Sequence, residues 1–214
     1  MRTKWLFLYL LTVALTLPVR ADTDSLKKLL KDVENRYNHA QTLQVTFHES
    51  YKAPQRPVKT ESGTLFLRKP GRMRWDYTSP EGKLFISDGK YLYLYTPSAN
   101  RVEKMKMKES EDMRVPLAFL LGRLDFEKEF RGIQSRPEGS GTLISAQPKS
   151  DNLPYTQVEF VINQAHEIQR VQVTGYDKSV IDFRFGNEVM NPKLESRLFQ
   201  FQMPAGAELV EPAN

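Results

Sequence analysis

Alternation of apolar and polar residues runs through most of the chain after Leu43 and predicts a β-rich protein. Apolar side chains recur at every second position in short runs, and turn-forming residues end each run. This period matches a β-strand, whose successive side chains point to opposite faces of a sheet. The predicted strands are 44–51, 63–68, 72–77, 83–87, 91–95, 101–107, 141–146, 157–162, 168–174, 179–185 and 199–203.

The links between successive strands are short, which predicts antiparallel neighbours. The Pro70-Gly71 pair and the Asp88-Gly89-Lys90 run are typical of hairpin turns. A link of two to four residues cannot carry the chain back to form a parallel pair. The first half of the chain is therefore expected to be an antiparallel meander.

Two of these strands have large apolar side chains on both faces. In 63–68 the leucines alternate with Phe66, and in 91–95 the leucines alternate with three tyrosines. An antiparallel sheet with one face in water shows a cleaner alternation, as in 179–185. We therefore expect a helix of the chain to cover one face, and a lid or an apolar ligand to cover the other.

Residues 24–39 form the first predicted helix. Asp24 is a suitable N-cap, and His39 closes the last turn, where a cation offsets the helix dipole. The apolar residues at helical spacing are Leu26, Leu29, Leu30, Val33 and Tyr37. The segment is therefore expected to be an amphipathic helix that covers the sheet.

The meander is interrupted by a short apolar segment at 116–121, which is predicted to be a helix. Proline stands at its start and Gly122 at its end, as is common at helix termini. A helix this short is a poor permanent cover. It suits a lid over a cavity that accepts alkyl chains.

Residues 1–21 have the layout of a secretory signal peptide. Basic residues precede the apolar run 5–17, and Ala21 is a small residue at the expected cleavage position. The apolar run is too short to span a bilayer as a helix, which argues against a membrane anchor. We expect cleavage after Ala21 and a single exported, soluble domain over 22–214.

The charge of the chain is modest once the predicted signal peptide is removed. The formal net charge falls from +5 to +2, which argues against binding to nucleic acid. Basic residues gather between Lys59 and Arg114. They form either a positive face for an acidic partner or anionic lipid headgroups, or a solvated strand edge that discourages aggregation. The chain has no cysteine, so neither a disulfide nor N-terminal lipidation is expected.

Catalytic and metal-binding motifs are absent from the sequence. There is no HExxH, GxSxG or P-loop pattern, and the three histidines are not clustered. The Gly139-Ser140-Gly141 run fits a hairpin turn rather than a nucleophile elbow. We therefore expect a protein that is not an enzyme and that uses no metal or cofactor. Its apolar residues suit alkyl chains, whose burial contributes about 0.8 kcal/mol per methylene.

Five motifs, spread over most of 22–214, are distinctive in combination. They are RKPGRMRW at 68–75, SDGK at 87–90, YTP at 95–97, the apolar helix at 116–121, and the closing pattern Phe199-x-Phe201-x-x-Pro204-x-Gly206. This combination resembles the periplasmic outer-membrane lipoprotein carrier proteins of the LolA family.

The resemblance implies a fold and a function. Its fold is a mainly β (α+β), incomplete antiparallel β-barrel closed by an N-terminal helix and a short lid helix. Its function is to bind the acyl chains of lipoproteins released from the inner membrane by an ABC-type exporter (LolCDE-like) and to deliver them to an outer-membrane receptor (LolB-like). The expected partners are acylated lipoproteins, this exporter and this receptor, and the carrier is expected to be a monomer.

The resemblance and the strand parity together indicate the site residues. The lipid-binding cavity is expected at Phe47, Leu65, Leu67, Met73, Trp75, Leu92, Leu94 and Phe185. The lid is expected at Pro116, Leu117, Phe119, Leu120 and Leu121. On this parity Phe66 points toward the N-terminal helix.

A latch for the lid is implied at Lys69 or Arg68. The family usually has an arginine before the proline, where it hydrogen-bonds to carbonyls of the lid helix, but this chain has Lys69 there, with Arg68 beside it. Lysine donates as a point charge rather than a planar fork, so the latch is either weaker or displaced to Arg68. The alternative from the residues alone is a solvated turn lysine.

Other functions stay open from the sequence. They are an esterase or lipase acting on similar lipids, a lipid-sensing module of the same fold, and a dedicated carrier for another lipid-like product. An ester-hydrolysis assay separates the first from a carrier. Identification of the lipids that co-purify with the protein distinguishes a dedicated carrier for another product from a lipoprotein carrier.

Overall fold

The computed structural model describes residues 21–107 and 124–211. Helix α1 (Ala21–His39) comes first, and the small helix α2 (Phe126–Glu129) lies near the middle of the chain. The strands are β1 (Thr42–Lys52), β2 (Lys59–Arg68), β3 (Arg72–Ser79), β4 (Leu84–Asp88), β5 (Tyr91–Thr96), β6 (Arg101–Lys106), β7 (Phe130–Glu138), β8 (Gly141–Pro148), β9 (Tyr155–Ile162), β10 (Ile168–Gly175), β11 (Val180–Met190) and β12 (Glu208–Val210). Two 3-10 helices, Pro97–Ala99 and Ser196–Phe199, lie between strands. Within these residues no helix is both long and apolar enough to span a bilayer.

All twelve strands belong to one sheet whose edges do not meet. The order is β12-β6-β5-β4-β3-β2-β1-β11-β10-β9-β8-β7, and every pair is antiparallel except β12 with β6. The predicted mainly β fold with an open, incomplete barrel is thus confirmed. The pairing of β1 with β11 joins the two meanders, since it sets Phe47 opposite Phe185.

Helix α1 packs against one face of this sheet, here called the inner face. Leu30, Val33 and Tyr37 of the helix lie in one core cluster with Leu65 and Leu67 of β2. The helix covers the inner face because its apolar stripe and the apolar positions of the strands are both removed from water there. Phe66 is half-buried and points to the opposite face. The expectation that Phe66 faces the N-terminal helix is therefore wrong.

The opposite, outer face of β3–β5 is covered by the C-terminal segment that follows β11. Phe199 is buried, and the ring of Phe201 stacks on Tyr93 with 4.7 Å between centroids. Arg74 donates a hydrogen bond to the carbonyl of Leu198 over 3.1 Å. This segment covers Tyr93 of β5 on the face where a lid or an apolar ligand was expected. In the second half of the sheet the outer face is polar, as expected, and Arg170 pairs there with Asp182.

Most predicted strands are found, and their ends differ from the expected ones by at most five residues. Residues 199–203 are not a strand: Phe199 ends the 3-10 helix, the following residues are irregular, and Phe199 and Phe201 pack on the sheet instead. Strand β7 has no counterpart among the predicted strands, since it is an edge strand with a bulge and a proline. Asp24 is not an N-cap, because α1 already includes it. Asp88 does form the expected hairpin turn and accepts from the amides of Lys90 and Tyr91.

Candidate functional site

The eight residues expected to line a cavity come together on the inner face. Six of them are buried in one cluster, and the other two, Leu94 and Phe185, are partly buried against it. The six buried residues are Phe47, Leu65, Leu67, Met73, Trp75 and Leu92. The alternation along each strand thus locates a continuous apolar surface. It does not by itself create an open cavity.

Aromatic side chains fill the centre of this surface. The rings of Phe47 and Trp75 meet edge-on with centroids 4.7 Å apart, and Phe183 of β11 lies 5.3 Å from Trp75. The indole nitrogen of Trp75 donates to the sulfur of Met73 over 3.4 Å. Since Trp75 is fully buried, an acyl chain can reach the centre only if these side chains or their cover move.

Two pockets open between the C-terminal half of α1 and the sheet. Their volumes are about 260 and 230 Å³, which include some space open to solvent. The enclosed part of each pocket is only about 10 Å³, close to the space that one water molecule needs. The larger is lined by Tyr37, Leu43, Val45, Leu65, Ile168, Phe185 and Glu188, and the smaller by Tyr37, Ala40, Gln41, Thr42, Leu43, Leu67 and Lys69. At these two places the described residues of α1 and the sheet are therefore closely packed.

Several pocket residues were not expected from the sequence. Leu43 and Val45 share the parity of Phe47 on β1, so the alternation of that strand contained the signal. No pattern in the sequence indicated that Ile168 and Glu188 would line this pocket. They reach the pocket because β11 pairs with β1 and β10 pairs with β11, and the pairing of β1 with β11 joins segments far apart in the sequence.

A polar cluster at the rim of the larger pocket anchors α1 to the second half of the sheet. The hydroxyl of Tyr37 donates to Glu188 over 2.7 Å and accepts from the amide of Ile168 over 2.9 Å. Arg36 contacts both Glu188 and Glu167. Burial and the adjacent Glu188 carboxylate raise the pKa of the Tyr37 phenol far above its ordinary value. The phenol is thus a neutral donor throughout the physiological range.

Lys69 anchors α1 to the first half of the sheet. Its ammonium group donates a 2.7 Å hydrogen bond to the backbone carbonyl of Tyr37 in the last turns of α1. A cation is favourable at this end of a helix. Burial lowers the pKa of Lys69 from its ordinary value. The side chain of Lys69 lies on the same face as Leu65 and Leu67, and it borders the smaller pocket.

Arg68 lies on the outer face and contacts the C-terminal segment. It donates to the carbonyl of Leu194 over 3.3 Å and to the hydroxyl of Ser196 over 2.9 Å. The two basic side chains expected as candidate latches therefore point away from each other, as adjacent residues of a strand must. Of the two, Lys69 borders the inner face.

Helix α1 also makes hydrogen bonds to the segment that begins at Leu124, the first described residue after 123. Asn38 makes two hydrogen bonds to the backbone of Leu124, at 2.8 and 2.7 Å. The carboxylate of Glu34 accepts from the amide of Phe126 over 2.9 Å. The predicted lid residues Pro116, Leu117, Phe119, Leu120 and Leu121 lie outside the described residues.

The histidines stand apart from this site. His39 is the last residue of α1, His48 is exposed on β1, and His166 lies in the turn between β9 and β10. Among residues 21–107 and 124–211 there is no group of three potential metal ligands.

An open antiparallel sheet with an apolar inner face under an amphipathic helix defines a class of half-barrel proteins with an internal apolar site. Residues 38–202 match the family described as "Outer membrane lipoprotein carrier protein LolA". Because this match covers most of the chain, the protein belongs to the LolA family. It shares the carrier role that names the family.

Relatives with this description are similar over nearly the whole chain. The outer-membrane lipoprotein carrier protein of Methylobacillus flagellatus is 28% identical over 210 residues, which cover 97% of this chain and 98% of that protein. The carrier protein of Legionella pneumophila (strain Corby) is 25% identical over 181 residues, or 84% and 88% of the two chains. A crystal structure of an uncharacterized conserved protein from Thermus thermophilus shares the fold, with a TM-score of 0.51, 15% identity, and coverage of 87% and 99%.

Proposed function

We propose that this protein binds the acyl chains of lipoproteins between α1 and the inner face of the sheet. It receives them from an inner-membrane ABC-type exporter (LolCDE-like) and delivers them to an outer-membrane receptor (LolB-like). The proposal places the carrier in the periplasm as a soluble monomer after cleavage at Ala21. The observation that carries it is a continuous apolar surface under a helix whose rim contacts are polar.

The energetics favour entry of acyl chains when α1 moves. Each polar contact at the rim is worth about 1–3 kcal/mol at most. Burial of a dozen methylenes contributes about 10 kcal/mol. Lipid can therefore displace several of these contacts and still bind, whereas an empty carrier closes again. Such binding depends on alkyl area alone, so one site suits many lipoproteins.

The proposed lid completes the site. The described residues on either side of 108–123 are Met107, which packs against the core, and Leu124, which is held by Asn38. The chain therefore leaves and re-enters the described part of the structure at residues that contact the inner-face cluster. We include Phe119 and Leu120 in the acyl-binding surface, together with the eight clustered residues. We assign the latch to Lys69 and propose that it acts by holding α1, to whose Tyr37 carbonyl it donates, rather than the lid carbonyls expected from the family.

Two measurements test the proposal. The exported protein, purified from the periplasm, is titrated with a fluorescent fatty-acid probe, and a triacylated lipopeptide is added as competitor. We expect saturable binding and full competition. A second assay follows release of a lipoprotein from inner-membrane vesicles. Probe binding that the lipopeptide fails to displace, or folded protein that binds no probe, would overturn the assignment.

A control variant makes the result specific. Leu65→Asn replaces a buried leucine that lines the larger pocket, and Val189→Asn makes a similar change at a half-exposed position of β11. Loss of binding in the first variant alone, with both still folded by circular dichroism, supports the site. Equal binding by both variants would contradict it.

A further inference from the structure

Two hairpin tips at one end of the sheet carry the most exposed large apolar side chains of the described residues. Tyr176, in the turn between β10 and β11, is 62% exposed, and Val58, in the loop between β1 and β2, is 55% exposed. Single exposed apolar residues are common, but here the two most exposed ones lie at the same end. The order β2-β1-β11-β10 sets the two hairpins side by side.

Strand register brings these two tips into contact range. Tyr51 of β1 pairs with Lys59 of β2, and the next residue, Lys52, pairs with Val180 of β11. Lys52 therefore stands between the two loops. Residues 52–59 and 176–178 together are named the tip patch. Its backbone is shaped by Gln55 and Lys178, which both have positive φ.

Basic side chains dominate the tip patch. The exposed basic residues are Lys52, Arg56, Lys59 and Lys178. The one acidic residue within it, Asp177, accepts hydrogen bonds from the amide and hydroxyl of Ser179. With four cations and one carboxylate, the net charge of the patch is +3. Beside it, Glu61 pairs with Lys83, and Glu81 is exposed on the next turn.

The patch continues directly into the apolar inner face. Tyr51, which precedes Lys52, is partly buried against the core cluster, and Ala53 is buried. Tyr51 pairs with Ile181 of β11, and Ile181 and Phe183 are both buried. An apolar path therefore runs along β11 from the exposed tip to the surface under α1, beside the buried Glu49 of β1. Cations that surround an aromatic and an aliphatic side chain suit a membrane interface, where tyrosine prefers the headgroup level and lysine is drawn to anionic lipids.

We infer that the tip patch docks the protein on the surface of an anionic phospholipid membrane, with Tyr176 and Val58 at headgroup depth. The inference rests on the proposed carrier function for its purpose, because docking at this end places the path to the inner face against the bilayer. An acidic protein partner is less well matched, since it would not require two apolar tips.

The test uses the exported protein and lipid vesicles that contain no lipoprotein. Co-sedimentation is measured with phosphatidylcholine vesicles and with vesicles that contain one quarter phosphatidylglycerol. We expect binding only to the anionic vesicles and loss of binding in high salt. The double variant Arg56→Glu, Lys178→Glu should bind at least tenfold more weakly, because each basic residue near an anionic surface contributes about fivefold.

The matched control reverses two exposed positive charges that lie outside the tip patch. Arg184 is 72% exposed on β11 and Lys128 is 78% exposed on α2. The double variant Arg184→Glu, Lys128→Glu should keep binding within about threefold. Because the chain has no cysteine, Val58→Cys also provides a single labelling site, and an environment-sensitive dye there should shift to shorter wavelength on anionic vesicles.

Each outcome decides a separate point. Equal weakening by both double variants would assign the effect to overall charge and overturn the tip patch. Absence of binding to anionic vesicles, or of a dye shift, would also overturn it. Fatty-acid probe binding is measured on the same variants and should be unchanged. Vesicle binding without probe binding would instead contradict the proposed function and leave the docking surface intact.

Discussion

The ammonium group of Lys69 lies 2.7 Å from the backbone carbonyl of Tyr37 and donates a hydrogen bond to it. This contact joins the end of β2 to the C-terminal turns of α1 at the border of the smaller pocket. The same residue, Tyr37, is held on its other side by Glu188. The end of α1 is thus fixed from both halves of the sheet.

The first prediction concerns Lys69→Leu. Removal of the donor frees the end of α1 and favours the open, loaded state, so transfer to the receptor should slow by about fivefold while uptake is retained. The free energy of unfolding should fall by only about 1 kcal/mol, because the Tyr37 carbonyl keeps a contact with the amide of Ala40. A two-step uptake and release assay measures the first effect, and urea unfolding measures the second.

Two variants serve as controls for Lys69. Lys69→Arg retains a donor and should restore release. Arg68→Leu removes contacts of the C-terminal segment on the outer face, so it should lower stability slightly and leave release unchanged. Unchanged release in Lys69→Leu would refute the assignment of the latch to Lys69. A release defect confined to Arg68→Leu would show that the latch is Arg68, on the outer face.

The second prediction concerns Tyr37→Phe. The change removes the phenolic donor to one oxygen of Glu188 and leaves the amide of Ile168 without its acceptor, so the free energy of unfolding should fall by about 1–3 kcal/mol at neutral pH. Tyr176→Phe, at an exposed position, should change it by less than about 0.5 kcal/mol. Equal effects of the two changes would show that the buried cluster does not anchor α1.

The pH dependence of Tyr37→Phe gives an independent check. The folded state raises the pKa of Tyr37, so the folded chain retains the phenolic proton after the unfolded chain loses it. Stability from this group is fully present below pH about 10, where an exposed tyrosine ionises, and is lost as the pH rises further. The free energies of unfolding of wild type and Tyr37→Phe, measured by urea titration, should therefore approach each other above that pH.

The third prediction compares neighbouring residues of β2. Leu65 is buried under α1, and Leu65→Ala should lower the free energy of unfolding by about 2–5 kcal/mol. Thr64 points to the outer face, and Thr64→Ala should cost less than about 1 kcal/mol. Thermal and urea unfolding would show the contrast. Similar costs at both positions would be incompatible with the strand parity described above.

The fourth prediction concerns the lid at 116–121. Glutamate at Phe119 or Leu120 places an unpaired charge against alkyl groups, so loading of lipoprotein should fall by at least tenfold in a folded protein. Val189→Glu, a similar change at a half-exposed site on β11, should load normally. If Phe119→Glu and Leu120→Glu both load as wild type does, the lid is assigned to the wrong residues.

Strand alternation predicted the inner face well because it is a local property. Leu65, Trp75 and Leu92 lie on the buried face once their strands form, whichever strands they pair with. The same reasoning misjudged Phe66, since parity separates two faces but does not say which one a helix covers. It also missed β7, where a bulge at Gly132 and the need to blunt an open edge override the alternation.

The sequence by itself determined that the protein is rich in antiparallel β-strands, with an amphipathic helix and an apolar face suited to alkyl chains. Those features depend on side-chain period and hairpin chemistry, which act over a few residues. Only the tertiary structure decided how they assemble. Pairing of β1 with β11 brings Glu188 to Tyr37, and the C-terminal segment places Phe201 on Tyr93. An alternating strand is satisfied by many partners, so the one it takes depends on burying all the apolar surfaces of the chain at once.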